Sequence, residues 1–109
     1  MESSTTARFA HAARTLGREA RRRKLVAPSY RCPPRVVGAD RTLRRRPSGG
    51  VVAVRVRGRP WPAVLADMIE GIVVVNDLTP PRATRVRTEL WEEVMGDERG
   101  AEARRAHVA

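Results

Sequence analysis

The chemistry this chain can do is that of the guanidinium group. Twenty-one arginines stand against one lysine, Lys24, in 109 residues. A guanidinium is a planar fork of donors that grips phosphate or carboxylate at two points, whereas an ammonium is a point charge. The basic residues cluster at Arg18 to Lys24, Arg41 to Arg46 and Arg55 to Arg59. Net charge is +10 and the pI is about 11.6. Such an excess favours a polyanionic partner, nucleic acid or an anionic membrane surface. Ala, Val, Gly and Pro are also abundant, so GC-rich codon usage shares in the preference for arginine over lysine. It does not account for the net charge, because Asp and Glu rise with GC content too.

The charge is polarised along the chain. Residues 1–60 carry 16 basic and three acidic residues, and residues 61–109 carry six basic and nine acidic. The bland alternative for any charge run is a solvated face, and many basic proteins bind nucleic acid through counterion release alone. A one-sided basic half fits nucleic-acid contact better than a uniformly charged surface would.

Other chemistries are poorly supplied. Cys32, His11 and His107 are the only soft metal ligands, and their spacing matches no zinc motif. The same scarcity leaves no material for a nucleophile–base–orienter triad. Asp67 and Glu70 form an i,i+3 carboxylate pair, expected to serve as a solvated face or in salt bridges to the hairpin arginines. Pro47-Ser48-Gly49-Gly50 is turn chemistry and not a phosphate loop. The reading is therefore non-enzymatic, with no catalytic residue, cofactor or metal. A single cysteine allows no internal disulfide. No uninterrupted apolar run exceeds four residues, as in Ile72 to Val75, too few for a transmembrane helix or a secretory signal. The first 25 residues also read like a mitochondrial transit peptide. The composition fits a bacterial cytoplasm better, in association with nucleoid or ribosome.

The elements that must position the arginines follow from periodicity. Residues 1–25 are a basic segment with a helix over 3–24, and Ser3, Ser4, Thr5 and Thr6 offer N-caps. Phe9, Ala13, Leu16 and Ala20 share one face, and Arg14, Arg18, Arg21 and Arg22 another. The alanine-rich face predicts loose docking, or folding on a partner. Residues 26–40, with Pro28, Pro33 and Pro34, read as a connector. Within it Tyr30, beside Arg31, offers either a platform for a base or a ring packed on its own domain.

Residues 41–95 are predicted to hold a β-hairpin and a two-helix core. Arg41 to Arg46 and Val51 to Arg57 form the hairpin around the Pro47–Gly50 turn. If Arg46 faces Val51, then Leu43, Val52, Val54 and Val56 share the buried face. Arg44, Arg46, Arg55 and Arg57 share the open one, where their mutual repulsion invites an anion. Arg45 points to the core side or the rim, and a one-residue slip reverses every assignment. Gly58-Arg59-Pro60 breaks the strand. Trp61-Pro62 opens a core helix carrying Val64, Leu65, Met68, Ile69, Ile72 and Val73. An alternative ends it at Glu70 and makes Ile72 to Asn76 a buried strand; the continuous helix is preferred. Thr79 caps a third helix from Pro80-Pro81 to about Met95, with Val86, Leu90 and Val94 inside, flanked by Trp91 and Met95. Residues 96–109 read as a flexible tail.

The stretch Tyr30 to Asn76 resembles an uncharacterised family of small Arg-rich proteins from high-GC bacteria. The residues that carry the resemblance are Arg31-Cys32-Pro33-Pro34-Arg35, Arg41-Thr42-Leu43-Arg44-Arg45, Gly58-Arg59-Pro60-Trp61 and Asp67-Met68-Ile69-Glu70-Gly71. It covers somewhat under half of the chain and implies no activity, cofactor or site residue.

Together these features predict a small α+β domain in the order α-β-β-α-α, its basic hairpin packed on helices. The expected function is non-enzymatic nucleic-acid binding, DNA slightly before RNA, through Arg14, Arg18, Arg21 and Arg22 of the first helix and Arg44, Arg46, Arg55, Arg57 and Arg59 of the hairpin. Tyr30 is the candidate for stacking. The alternative is an adaptor that docks an acidic partner protein on the same surface, with Trp61 or Trp91 as an anchor. Membrane association through the first helix is weaker, since it offers only Phe9 and Leu16 as large apolar groups.

Overall fold

The computed structural model describes residues 2–32 and 50–108, with side chains over 5–32 and 50–104. It holds a helix α1 (Glu2–Arg22), strands β1 (Ser29–Arg31) and β2 (Val51–Ala53), and helices α2 (Trp61–Val75) and α3 (Pro80–Val108). The class and the element order are those expected from the sequence.

The strands correct the hairpin. β2 pairs in parallel with β1, in the register Ser29↔Val51, Tyr30↔Val52, Arg31↔Ala53. A four-residue turn cannot join parallel neighbours, because the chain must cross back before the second strand begins. The expected partner strand, Arg41 to Arg46, lies outside the described residues. β1 sits in the segment read as a connector. Its prolines stand on either side of Ser29-Tyr30-Arg31 and leave the donors between them able to pair. The alternation in the valine run holds nevertheless. Val52, Val54 and Val56 are buried, while Val51 is 40% exposed and Arg57 is exposed.

α2 is one continuous helix through Val75, with no strand at Ile72 to Asn76. Glycine inside a helix costs about 1 kcal/mol relative to alanine, and packing explains its presence. A Cβ on Gly71 would stand 3.0 Å from both γ-carbons of Val52. The missing side chain lets β2 lie directly on α2. Pro60 precedes the helix and Pro62 lies in its first turn, where the lost N–H has no intrahelical partner to lose.

Two helices end in the same way. After α1, Leu25 N donates to Ala20 O at 2.8 Å and Lys24 N to Arg21 O at 3.0 Å, with Lys24 at φ 61°. After α2, Leu78 N donates to Val73 O at 3.2 Å and Asp77 N to Val74 O at 3.1 Å, with Asp77 at φ 50°. Both are Schellman motifs, which usually place glycine at the left-handed position. Asn76 joins the two ends. Its Oδ1 accepts from Val26 N at 2.8 Å, and its Nδ2 donates to Val26 O and to Ile72 O, each at 2.9 Å.

α3 continues to Val108 instead of ending near Met95. Past Gly96, most residues are alanine, glutamate and arginine, all good helix formers. Within this extension Glu98 accepts from Arg8 Nη2 at 3.0 Å. Ala83, Val86, Leu90 and Val94 face the core.

α1 packs on both other helices. Ala12, Leu16 and Ala20 are fully buried. Small side chains therefore admit close approach here instead of producing the loose docking expected. Trp61, Leu65, Met68, Ile72 and Leu90 complete the centre. No helix among the described residues is long and apolar enough to cross a membrane.

Candidate nucleic-acid interface

α1 and α3 run antiparallel, and a buried carboxylate fixes their seam. Glu19, 2% exposed, accepts from Arg23 Nη1 at 2.8 Å and from Arg22 Nη1 at 3.1 Å, and Arg18 Nε stands 3.4 Å away. Burial alone would push this carboxyl up. The hydrogen bonds from Arg23, Arg18 and Arg22 outweigh burial and hold it below the ordinary range. Arg23 also reaches across to Glu89 Oε1 at 3.0 Å. Burial works against its charge, but the two glutamates more than compensate and raise its pKa. Further along the seam, Asp97 accepts from Thr15 Oγ1 at 3.3 Å and lies 3.7 Å from Arg18 Nη2.

Several arginines are thereby committed to the fold. Arg59 donates to Asp67 at 2.6 Å and to Arg55 O at 3.0 Å. Arg87 makes a two-point contact with Glu70, at 2.8 and 2.9 Å. That pair, aided by the guanidinium, holds the Glu70 carboxyl below its usual range. Asp67 thus pairs with Arg59 of the expected hairpin segment, as the sequence suggested, whereas Glu70 pairs with Arg87 of α3 instead. Arg8 lies over the Trp61 ring, 4.8 Å from its centroid.

The sequence-derived site residues divide accordingly. Arg14, Arg18, Arg21 and Arg22 are exposed and come together on α1. Arg18 and Arg22 lean toward Glu19, whereas Arg14 and Arg21 have no carboxylate partner among the described residues. The guanidinium of Arg21 folds back over Gly17, with Nη1 3.4 Å from where a Cβ would stand. Arg57 is exposed, and Arg55 is half-buried, its Nε without a hydrogen-bond partner among the described residues. Arg44 and Arg46, the other two members of the expected hairpin face, lie outside the described residues. Tyr30 is no open platform. Its hydroxyl donates to Met68 O at 2.6 Å, and its ring meets Phe9 edge-on at 6.3 Å. Burial raises its pKa well above the ordinary phenol value. Trp61 is 6% exposed. Trp91 lines an open groove of about 350 Å³ between α2 and α3, together with Ile69, Glu70 and Arg87.

The sequence reading sets Arg82 and Arg85 outside the expected binding surface. Both are exposed on α3, without a carboxylate partner among the described residues. Arg85 and Arg82 lie one and two turns before Glu89 and by helical spacing share its side of α3, the side on which Glu89 meets Arg23. Pooling residues 61–109 hid them, because the acidic residues of α3 all come later, from Glu89 onward. Among the described residues, no three of His, Cys, Asp and Glu stand together in a way that could hold a metal.

Comparison with protein-family models, curated proteins and solved structures gave no match.

Proposed function

We propose that the protein is a non-enzymatic nucleic-acid-binding protein, DNA before RNA, that holds phosphates on the outer face of α1. The observation that carries this reading is the stripe Arg14, Arg18, Arg21. Its members are exposed at i,i+4 and i,i+7 spacing, and two of them have no carboxylate partner among the described residues. Like charges one turn apart destabilise a helix unless an anion relieves them. A row of guanidinium groups on a rigid helix offers phosphate oxygens paired, charge-assisted hydrogen bonds. The apolar face of α1 is spent on the core, which disfavours a membrane partner.

An acidic partner protein would use the same arginines, and one experiment separates the two. Anisotropy of labelled DNA and RNA at physiological salt tests the reading directly. The wild type binds at micromolar concentration or tighter, and Arg14→Gln with Arg21→Gln weakens it roughly ten-fold or more. Arg99→Gln, on the acidic stretch of α3, leaves affinity unchanged. Equal loss in both variants, or no binding by the wild type, would point to the acidic-protein reading.

A further inference from the structure

We infer that the partner is a double helix held by its backbone, and that α3 supplies a second row of contacts through Arg82 and Arg85. This rests on the nucleic-acid reading above and extends it in substrate class and in surface. The Arg23–Glu89 contact, at 3.0 Å, sets the last turn of α1 against the early turns of α3. Arg22 and Lys24 are thereby brought to the same end of the molecule as Arg82 and Arg85, and all four are exposed. Between Thr79 and Thr88 there is no acidic residue to offset Arg82, Arg85 and Arg87. Because the helices run antiparallel and Arg23 stands against Glu89, Arg82 and Arg85 lie past the last turn of α1 and extend its basic surface. Cations spread over two helices can meet phosphates of both strands of a duplex, whereas a single strand offers one row.

The aromatic residues make the same choice. Proteins that take single strands stack bases on exposed rings. This chain has four aromatic residues, Phe9, Tyr30, Trp61 and Trp91, and all of them pack in or against the core. Trp91 lines an open groove, but on the α2 flank of α3 beside Arg87, away from the flank of Arg82 and Arg85. The surface has charge on two helices and no ring with which to stack.

The test uses the full chain, a mixed-sequence DNA duplex of about 20 base pairs and one of its strands, with salt slopes measured by anisotropy. The duplex is expected to bind at least roughly ten-fold tighter than the strand. Arg82→Gln with Arg85→Gln is expected to make the duplex slope shallower by about 1.8, the share of two phosphates. Both positions are exposed, and an unchanged thermal melt confirms that the variant folds. Equal or tighter binding of the single strand overturns the substrate class. An unchanged slope in the double variant overturns the role of α3. Failure of the wild type to bind either probe overturns the nucleic-acid reading itself.

Discussion

Arg23 Nε stands 3.0 Å from Glu89 Oε1, while Nη1 of the same guanidinium stands 2.8 Å from Glu19. One side chain thus closes a buried charge on its own helix and fastens that helix to the next. Arg23→Ala leaves Glu19 short of a donor and frees the seam. The expected loss is about 1.5–3 kcal/mol of stability, read from urea unfolding. A change under about 0.5 kcal/mol would show that the seam is held by apolar packing alone.

The same carboxylate sets the acid limit. The Glu19 pKa is depressed in the folded state, so its contribution is fully present above the unfolded value, about 4.3. It is lost as pH falls through the folded value. Glu70 follows the same direction, but its side chain is 37% exposed, and solvent screening leaves it little weight. Melting temperature should be flat above about pH 5 and fall below about pH 4. Glu19→Gln should lower stability at pH 7 and flatten part of that acid limb. An acid limb as steep as that of the wild type would assign it to other carboxylates.

Gly71→Ala tests the contact between β2 and α2. Alanine improves helix propensity by about 1 kcal/mol, but its Cβ meets two methyl groups of Val52 at 3.0 Å. Overpacking dominates, with an expected net loss of about 1–3 kcal/mol. Val52→Ala in the same chain should recover part of it, a coupling read from the double-mutant cycle. A stabilised single variant would mean that the strand yields freely.

Much of this fold was legible in the sequence. Val86, Leu90 and Val94 announced their stripe, and the valine run announced its alternation, because burial of one face imposes a period. The partner of that valine run was not legible. Pairing is decided by side chains far apart in sequence, and three residues between prolines carry no periodic signal. α3 outran its expected end because the residues after Met95 lack an apolar stripe, yet their propensity and the Arg8–Glu98 pair suffice. Within the candidate site, the α1 stripe followed directly from helical spacing. Asp67 was expected to pair with an arginine of the hairpin segment, and Arg59 is that partner, whereas the place of Arg82 and Arg85 beside the end of α1 followed only from the packing of α3.

Lys24 is the only lysine in the chain, and it holds the left-handed position at the end of α1, φ 61°. A side chain there costs about 1–2 kcal/mol relative to glycine. Lys24→Gly should therefore raise stability by about 1 kcal/mol while leaving the helix content by circular dichroism unchanged. Loss of stability would mean that the lysine side chain itself supports the motif.

The salt dependence of duplex binding tests the central claim most directly. Phosphate contact by Arg14, Arg18, Arg21 and Arg22 predicts that log K falls linearly with log salt at a slope of about −3.6, and steeper as Arg82 and Arg85 join. A slope between about −4 and −5.5 is the expected result. A slope near zero, or no measurable binding at low salt, would contradict the assignment of this arginine surface to nucleic acid.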